Sequence, residues 1–130
     1  VKEPIWVEKE LTLIIHDRQL AEHGGSSGIR DVSLLESALA KPKNVYAYPS
    51  DTITLPRLAA SCAYGIATNH PFIDGNKRTA LVVAVTFLRI NGVSLSAPLE
   101  DTYLIFLGVA AGEIGEEELA RWLEENCVNL

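Results

Sequence analysis

The sequence contains no methionine, only two cysteines and few aromatic residues, 7% of the chain. Without Met the initiator is missing, so the chain is expected to be trimmed or to begin after processing. Two cysteines, Cys62 and Cys127, cannot make a zinc site alone, and no Cys/His pair has zinc-finger spacing. Both sit in apolar, helix-like contexts and read as buried free thiols of a reducing compartment. Basic residues are scarce, 11 Lys and Arg against 17 Asp and Glu, for a net charge of −6. That excludes general binding to nucleic acid or an anionic membrane, which needs a basic surface, but it leaves room for a local cationic pocket. The N-terminus has no clean hydrophobic region followed by a small-residue cleavage site, so no signal peptide is expected. The longest apolar run, Ala80–Leu88, is interrupted by Thr86 and is too short to span a bilayer. The cytoplasm is the default location.

What is present is a globular composition, 48% apolar and 22% charged, over 130 residues. One domain covering residues 1–130 is expected. Apolar spacing is helical almost throughout. Leu55, Leu58, Ala59, Cys62, Ala63 and Ile66 form one stripe. Leu99, Tyr103, Phe106, Leu107 and Ala110 form another, opened by Pro98 and closed by Gly112. Ser33 and Glu36 have capping-box spacing. Glu116, Glu117 and Glu118 suit the positive end of a last helix burying Leu119, Trp122 and Leu123. An early helix, roughly Glu8–His23, stops at Gly24-Gly25. Lys77–Asn91 is apolar on every side and reads as a buried central helix. Gly24–Gly28 is a surface loop. Lys43–Thr54 is the longest stretch without helical spacing, and Val45, Tyr46, Ala47 and Tyr48 suggest a short strand or hairpin arm. The expected fold is all-α, a compact bundle of about six helices around the central hydrophobic one.

The line His70-Pro71-Phe72-Ile73-Asp74-Gly75-Asn76-Lys77-Arg78-Thr79 carries the chemistry. A helix N-terminus offers free amides and a positive dipole end. Gly75 permits a turn in which amides converge. Lys77 and Arg78 stand in the first turn, where cations are disfavoured unless an anion offsets them, and phosphate suits that place. Asp74 beside a phosphate is suited to Mg²⁺. His70 can take a proton from a hydroxyl. The set points to phosphoryl or nucleotidyl transfer. Each part also has an ordinary reading: His70-Pro71 could end the preceding helix, Asp74-Gly75-Asn76 could be a turn with a cap, and Lys77-Arg78 could be solvated. A P-loop is excluded, because no G-x-x-x-x-G-K-[ST] follows a strand.

These residues resemble the core motif of the Fic/Doc superfamily: His-Pro-Phe-x-Asp/Glu-Gly-Asn, then Gly or Lys, then Arg. Lys77 at the Gly-or-Lys position is the mark of the Doc branch. The resemblance extends through Gly28-Ile29-Arg30-Asp31, Leu34–Leu39 and Phe87–Gly92. It implies the all-α fold, with His70 as general base, Phe72 as the loop's anchor and Asp74 holding Mg²⁺. By the same resemblance Gly75, Asn76 and Lys77 shape the anion hole, Arg78 grips nucleotide phosphates, and residues 43–54 act as a flap that aligns a target peptide. Two positions depart from the pattern. The second Arg usual in AMP-transferring members is Leu81 here, which favours transfer of the γ-phosphoryl group. A polar Asn found in Doc is Val82. No Ser/Thr-x-x-x-Glu-Gly/Asn inhibitory motif is present, so inhibition is expected from a separate antitoxin chain, Phd-like by resemblance.

The resemblance therefore implies a Doc-type toxin that uses ATP and Mg²⁺ to phosphorylate a Ser/Thr hydroxyl of a cytoplasmic protein, by resemblance elongation factor Tu, and so arrests translation. A protein adenylyltransferase and a non-catalytic nucleotide- or peptide-binding module are the rivals. His16 and His23, on the first helix, read as solvent-facing or capping groups.

Overall fold

The computed structural model describes residues 2–48 and 52–130. It is a bundle of helices: α1 Lys9–His23, α2 Val32–Ala47, α3 Leu55–Asn69, α4 Asn76–Ile90, α5 Leu99–Ala110 and α6 Glu116–Glu125. Two three-residue strands, β1 Val93–Leu95 and β2 Cys127–Asn129, pair antiparallel with Ser94 opposite Val128. This small sheet, unforeseen in an all-helical reading, ties the chain after α4 to the chain after α6. No helix among the described residues is long and apolar enough to cross a membrane.

The centre is shared by α3 and α4. In α3 burial is nearly continuous from Leu58 to Ala67. Its alanines need little room on any side, so neighbours approach closely all round. At the α2 crossing a Cβ on Gly65 would stand 2.9 Å from the Ala38 Cβ. In α4, Thr79, Ala80, Leu81, Val83, Ala84, Phe87 and Leu88 are buried, while Val82 and Val85 are half-buried and Arg89 and Ile90 exposed. The N-terminal segment closes over the end of α4. Trp6 stacks on Phe87 with centroids 5.8 Å apart, and Asn91 brackets Ile5, accepting from its N–H at 2.8 Å and donating to its carbonyl at 2.9 Å.

Several expectations are corrected. Helix α2 runs through Pro42 to Ala47, so Val45, Tyr46 and Ala47 are helical and Tyr48 is the C-cap, with no strand or hairpin arm. Tyr46 is half-buried and meets Trp6 edge-on, and this packing carries the helix past its proline. Residues 49–51 of the expected flap lie outside the described residues. The Ser33–Glu36 capping box does not form. Asp31 is the N-cap instead, its Oδ1 accepting from the Leu34 N–H at 3.1 Å. Cys62 is buried as expected, but Cys127 is half-buried in β2.

Candidate active site

The site forms where α3 ends and α4 begins. His70 is the C-cap of α3 and adopts the left-handed conformation, φ 51° and ψ 58°. Pro71 follows, and its missing N–H and its ring disfavour any continuation of the helix. The chain then crosses beneath the loop after α1: Ile29 pairs antiparallel with Phe72, and the Ile73 N–H donates to the Gly28 carbonyl at 3.1 Å. Phe72 is 1% exposed and anchors the loop in the core. Gly75, with φ 79°, turns the chain into α4. A side chain there would be strained and would meet Leu20 and His16.

Asn76 closes the loop. Its Oδ1 accepts from the Phe72 N–H and its Nδ2 donates to the Phe72 carbonyl, each at 2.9 Å. Both polar atoms of the side chain are thus engaged within the protein, and only its backbone amide is left to face a ligand. The first helical bond of α4 is given by the Thr79 N–H to the Gly75 carbonyl at 3.0 Å. The amides of Asn76, Lys77 and Arg78 precede it and are the donors that a helix leaves unpaired at its start.

These amides open on a cavity of about 580 Å³ lined by His70, Asp74, Lys77 and Arg78, among others. The His70 ring lies at its edge, exposed, with no hydrogen bond among the described residues. Asp74 is exposed too, but its carboxylate is oriented. Oδ1 accepts from the Gly75 N–H at 2.9 Å and Oδ2 from the Ser26 N–H at 3.2 Å. Arg78 lies over the Tyr103 ring at 4.6 Å, and its Nη1 donates to His23 Nε2 at 3.4 Å. Elsewhere Lys9, Lys41, Lys43 and Arg57 are ion-paired with glutamates. Lys77 and Arg78 have no carboxylate partner among the described residues, and the first turn of α4 holds no acid. In a chain of net charge −6 this is a local positive site with free donors. Leu81 is 8% exposed, turned into the core, and lies outside the cavity.

Among the described residues no group of three or more His, Cys, Asp and Glu is arranged to hold a metal ion by itself. A lone carboxylate beside an anion site fits Mg²⁺, which is commonly held by one or two carboxylates together with substrate phosphates.

The loop thus brings His70, Phe72, Asp74, Gly75, Asn76, Lys77 and Arg78 together. It does not bring Val45, Tyr46, Ala47 or Tyr48 to the cavity wall. Two histidines differ from expectation or add to it. His16 is 3% exposed rather than solvent-facing; its ring stacks on Phe72 at 3.8 Å, and its Nε2–H donates to the Asp74 carbonyl at 2.8 Å. His23 is exposed as expected, but it also lines the cavity. The only trace of either in the sequence is spacing. His16 follows Thr12 by four residues and Ile15 by one, on the buried side of α1.

A model of the Fic/DOC family matches residues 6–88, a span that includes the whole motif loop. The chain is 44% identical over 81 residues to a protein of Mycolicibacterium smegmatis named "Toxin Doc"; the match covers 59% of each chain. It is 34% identical over 116 residues to "Protein kinase doc" of Escherichia phage P1, covering 88% of this chain and 89% of that one. With the motif loop, the helix order and these matches in agreement, the chain belongs to the Fic/DOC family as a Doc-type member.

Proposed function

We propose that this protein is the toxin of a toxin–antitoxin pair and a phosphotransferase that moves the γ-phosphoryl group of ATP to a Ser/Thr hydroxyl of a target protein. The observation that carries the reading is the open cavity itself. An exposed imidazole stands at its edge, and unpaired amides with two unopposed cations form the start of α4. The phage relative's name, which states a kinase, supports the same class. So does Leu81, an aliphatic residue at the position where AMP-transferring members usually carry a second arginine.

In this mechanism His70 accepts the proton of the target hydroxyl. The hydroxyl oxygen forms a bond to the γ-phosphorus while the bond from that phosphorus to the β–γ bridging oxygen breaks, and ADP departs. The amides of Asn76, Lys77 and Arg78, with the two cationic side chains, hold phosphate oxygens and stabilise their charge. Asp74 holds Mg²⁺, which when bound supplies further neutralisation of phosphate charge. Hydrogen bonds from Ser26 and Gly75 keep that carboxylate directed at the cavity. Target and inhibitor follow the resemblance: elongation factor Tu in the cytoplasm, and a Phd-like antitoxin as a separate chain.

ATP labelled at the α- or the γ-phosphate, incubated with the protein and a bacterial lysate, tests the reaction. Label from the γ position is expected on protein. Label retained from the α position would establish AMP transfer instead, and ATP binding with no transfer would favour a binding module. His70→Ala is expected to lower transfer at least ~100-fold, the scale of a general base, and to relieve growth arrest. Its melting temperature should stay near that of the wild type, because the ring makes no hydrogen bond among the described residues.

A further inference from the structure

The motif loop is gripped from outside the motif at two separate points, and the two grips fall on different parts of the site. We propose that Arg30 and His16 are positioning residues with divided roles. Arg30 sets the direction of the His70 imidazole. His16 sets the turn that presents Asp74 and the start of α4. The proposal rests on the reading of His70 as the base and of the α4 N-terminus as the phosphate site.

The end of α3 leaves carbonyls without helical partners. The usual solution is a glycine in the left-handed conformation, but glycine carries no base. Here the left-handed residue is His70, the one non-glycine with positive φ among the described residues. Such a conformation persists only where the surroundings over-determine it. Arg30 supplies that. Its Nε–H donates to the His70 carbonyl and its Nη2–H to the Asn69 carbonyl, each at 2.7 Å. The planar guanidinium presents two parallel donors to two successive carbonyls, a fit that a lysine ammonium cannot reproduce. The backbone N–H groups of Arg30 and Asp31 both donate to the Pro71 carbonyl, at 2.7 and 3.0 Å. The peptide units on both sides of His70 are therefore held, and its ring takes its direction from them.

His16 acts four residues later in the loop, at Asp74. Its ring lies nearly parallel to Phe72, 9° between planes, and its Nε2–H fixes the Asp74 carbonyl. Its ring also lies 3.6 Å from where a Cβ on Gly75 would sit. It thereby sets the peptide that leads into Gly75 and the first amides of α4. Its hydrogen bond and its ring stacking go to Asp74 and Phe72 and not to His70.

Steady-state transfer kinetics, ATP affinity by calorimetry and amide hydrogen exchange of the full chain test the division. Arg30→Met is expected to lower kcat roughly 10- to 100-fold with KM and Kd for ATP within about 3-fold. Arg30→Lys, which keeps the charge and one donor, should fall between. His16→Phe keeps a flat ring on Phe72 without the donor, and His16→Gln keeps a donor without the stack. Both are expected to raise KM and Kd for ATP about 10-fold while kcat at saturation changes less than about 3-fold. Exchange should quicken at the hydrogen-bonded amides of Phe72 and Ile73 in the Arg30 variants and at those of Gly75 and Thr79 in the His16 variants. Equal changes of kcat and KM in both sets overturn the proposal, as does a loop that loosens as one unit in either. If the wild type transfers no label, the proposed reaction fails. The exchange pattern then decides the positioning roles by itself, two separate regions supporting them and a single common one overturning them.

Discussion

Asn76 shows at the residue scale how a motif position can serve the loop rather than the ligand. Its carboxamide pairs both backbone groups of Phe72, a buried residue that has no other partner for them among the described residues. Asn76→Ala would leave a buried N–H and a buried carbonyl unpaired, at a cost of about 1–3 kcal/mol each. A loss of roughly 2–4 kcal/mol in denaturant unfolding is expected, together with weakened ATP binding. Gly25 makes the complementary case. Its φ is +125°, and a Cβ there would stand 2.9 Å from Asp74 Oδ2. Gly25→Ala is expected to push the carboxylate aside, so that transfer needs a higher Mg²⁺ concentration. A Mg²⁺ titration of the transfer rate reads this directly, and an unchanged titration would show that Asp74 does not hold the ion.

Helix packing at the element scale turns on α3. Gly65→Ala improves helix propensity by about 1 kcal/mol, but the new methyl meets Ala38 at 2.9 Å to Cβ and 3.2 Å to Cα. The second contact is backbone and cannot rotate away, so the crossing of α2 and α3 must widen. Overpacking of this kind costs about 1–3 kcal/mol, and a net destabilisation is expected in thermal unfolding. Asp31 belongs to the same scale, because it caps α2 with its side chain and holds Pro71 with its N–H. Asp31→Ala removes only the cap and is expected to cost about 1 kcal/mol, with catalysis unaffected if the backbone bond persists.

Charge and redox set the behaviour of the whole molecule. The net negative charge and the cationic cavity oppose each other, so an anionic ligand is favoured at the cavity over the molecule as a whole. Cys62 lies in the core between helices, and burial pushes its thiol up to about 12 from 9.0. In the unfolded chain the thiol loses its proton first, so unfolding releases protons above pH 9.0. Stability from this group is whole below that pH and falls, on the order of 1 kcal/mol per pH unit, as pH rises toward the folded value. Cys62→Ala is expected to flatten the alkaline arm of the stability curve relative to the wild type, as measured by urea unfolding between pH 8 and pH 11. Cys127, whose thiol is raised by partial burial and by the nearby Glu124 carboxylate, is half-exposed. It should react with alkylating reagents well before Cys62.

The motif from His70 to Arg78 and most helix limits were legible in the sequence, because apolar spacing and turn residues act over a few positions. Lys9–His23 follows from its Gly24-Gly25 stop, and Leu99–Ala110 from its apolar stripe between Pro98 and Gly112. The fate of residues 43–48 was not legible. Pro42 disfavours helix locally, and α2 continues past it because Tyr46 packs on Trp6, 40 positions earlier in the chain. The burial of His16 was hidden for the same reason: its partner Asp74 lies 58 positions away. Arg30 stands in an exposed loop with no local sign of its role. The sequence by itself determined which chemical groups the site contains and that they begin a helix. The tertiary structure decided how those groups are held, since backbone carbonyls at the end of α3 and in the motif turn are met by donors from α1 and from the loop that follows it.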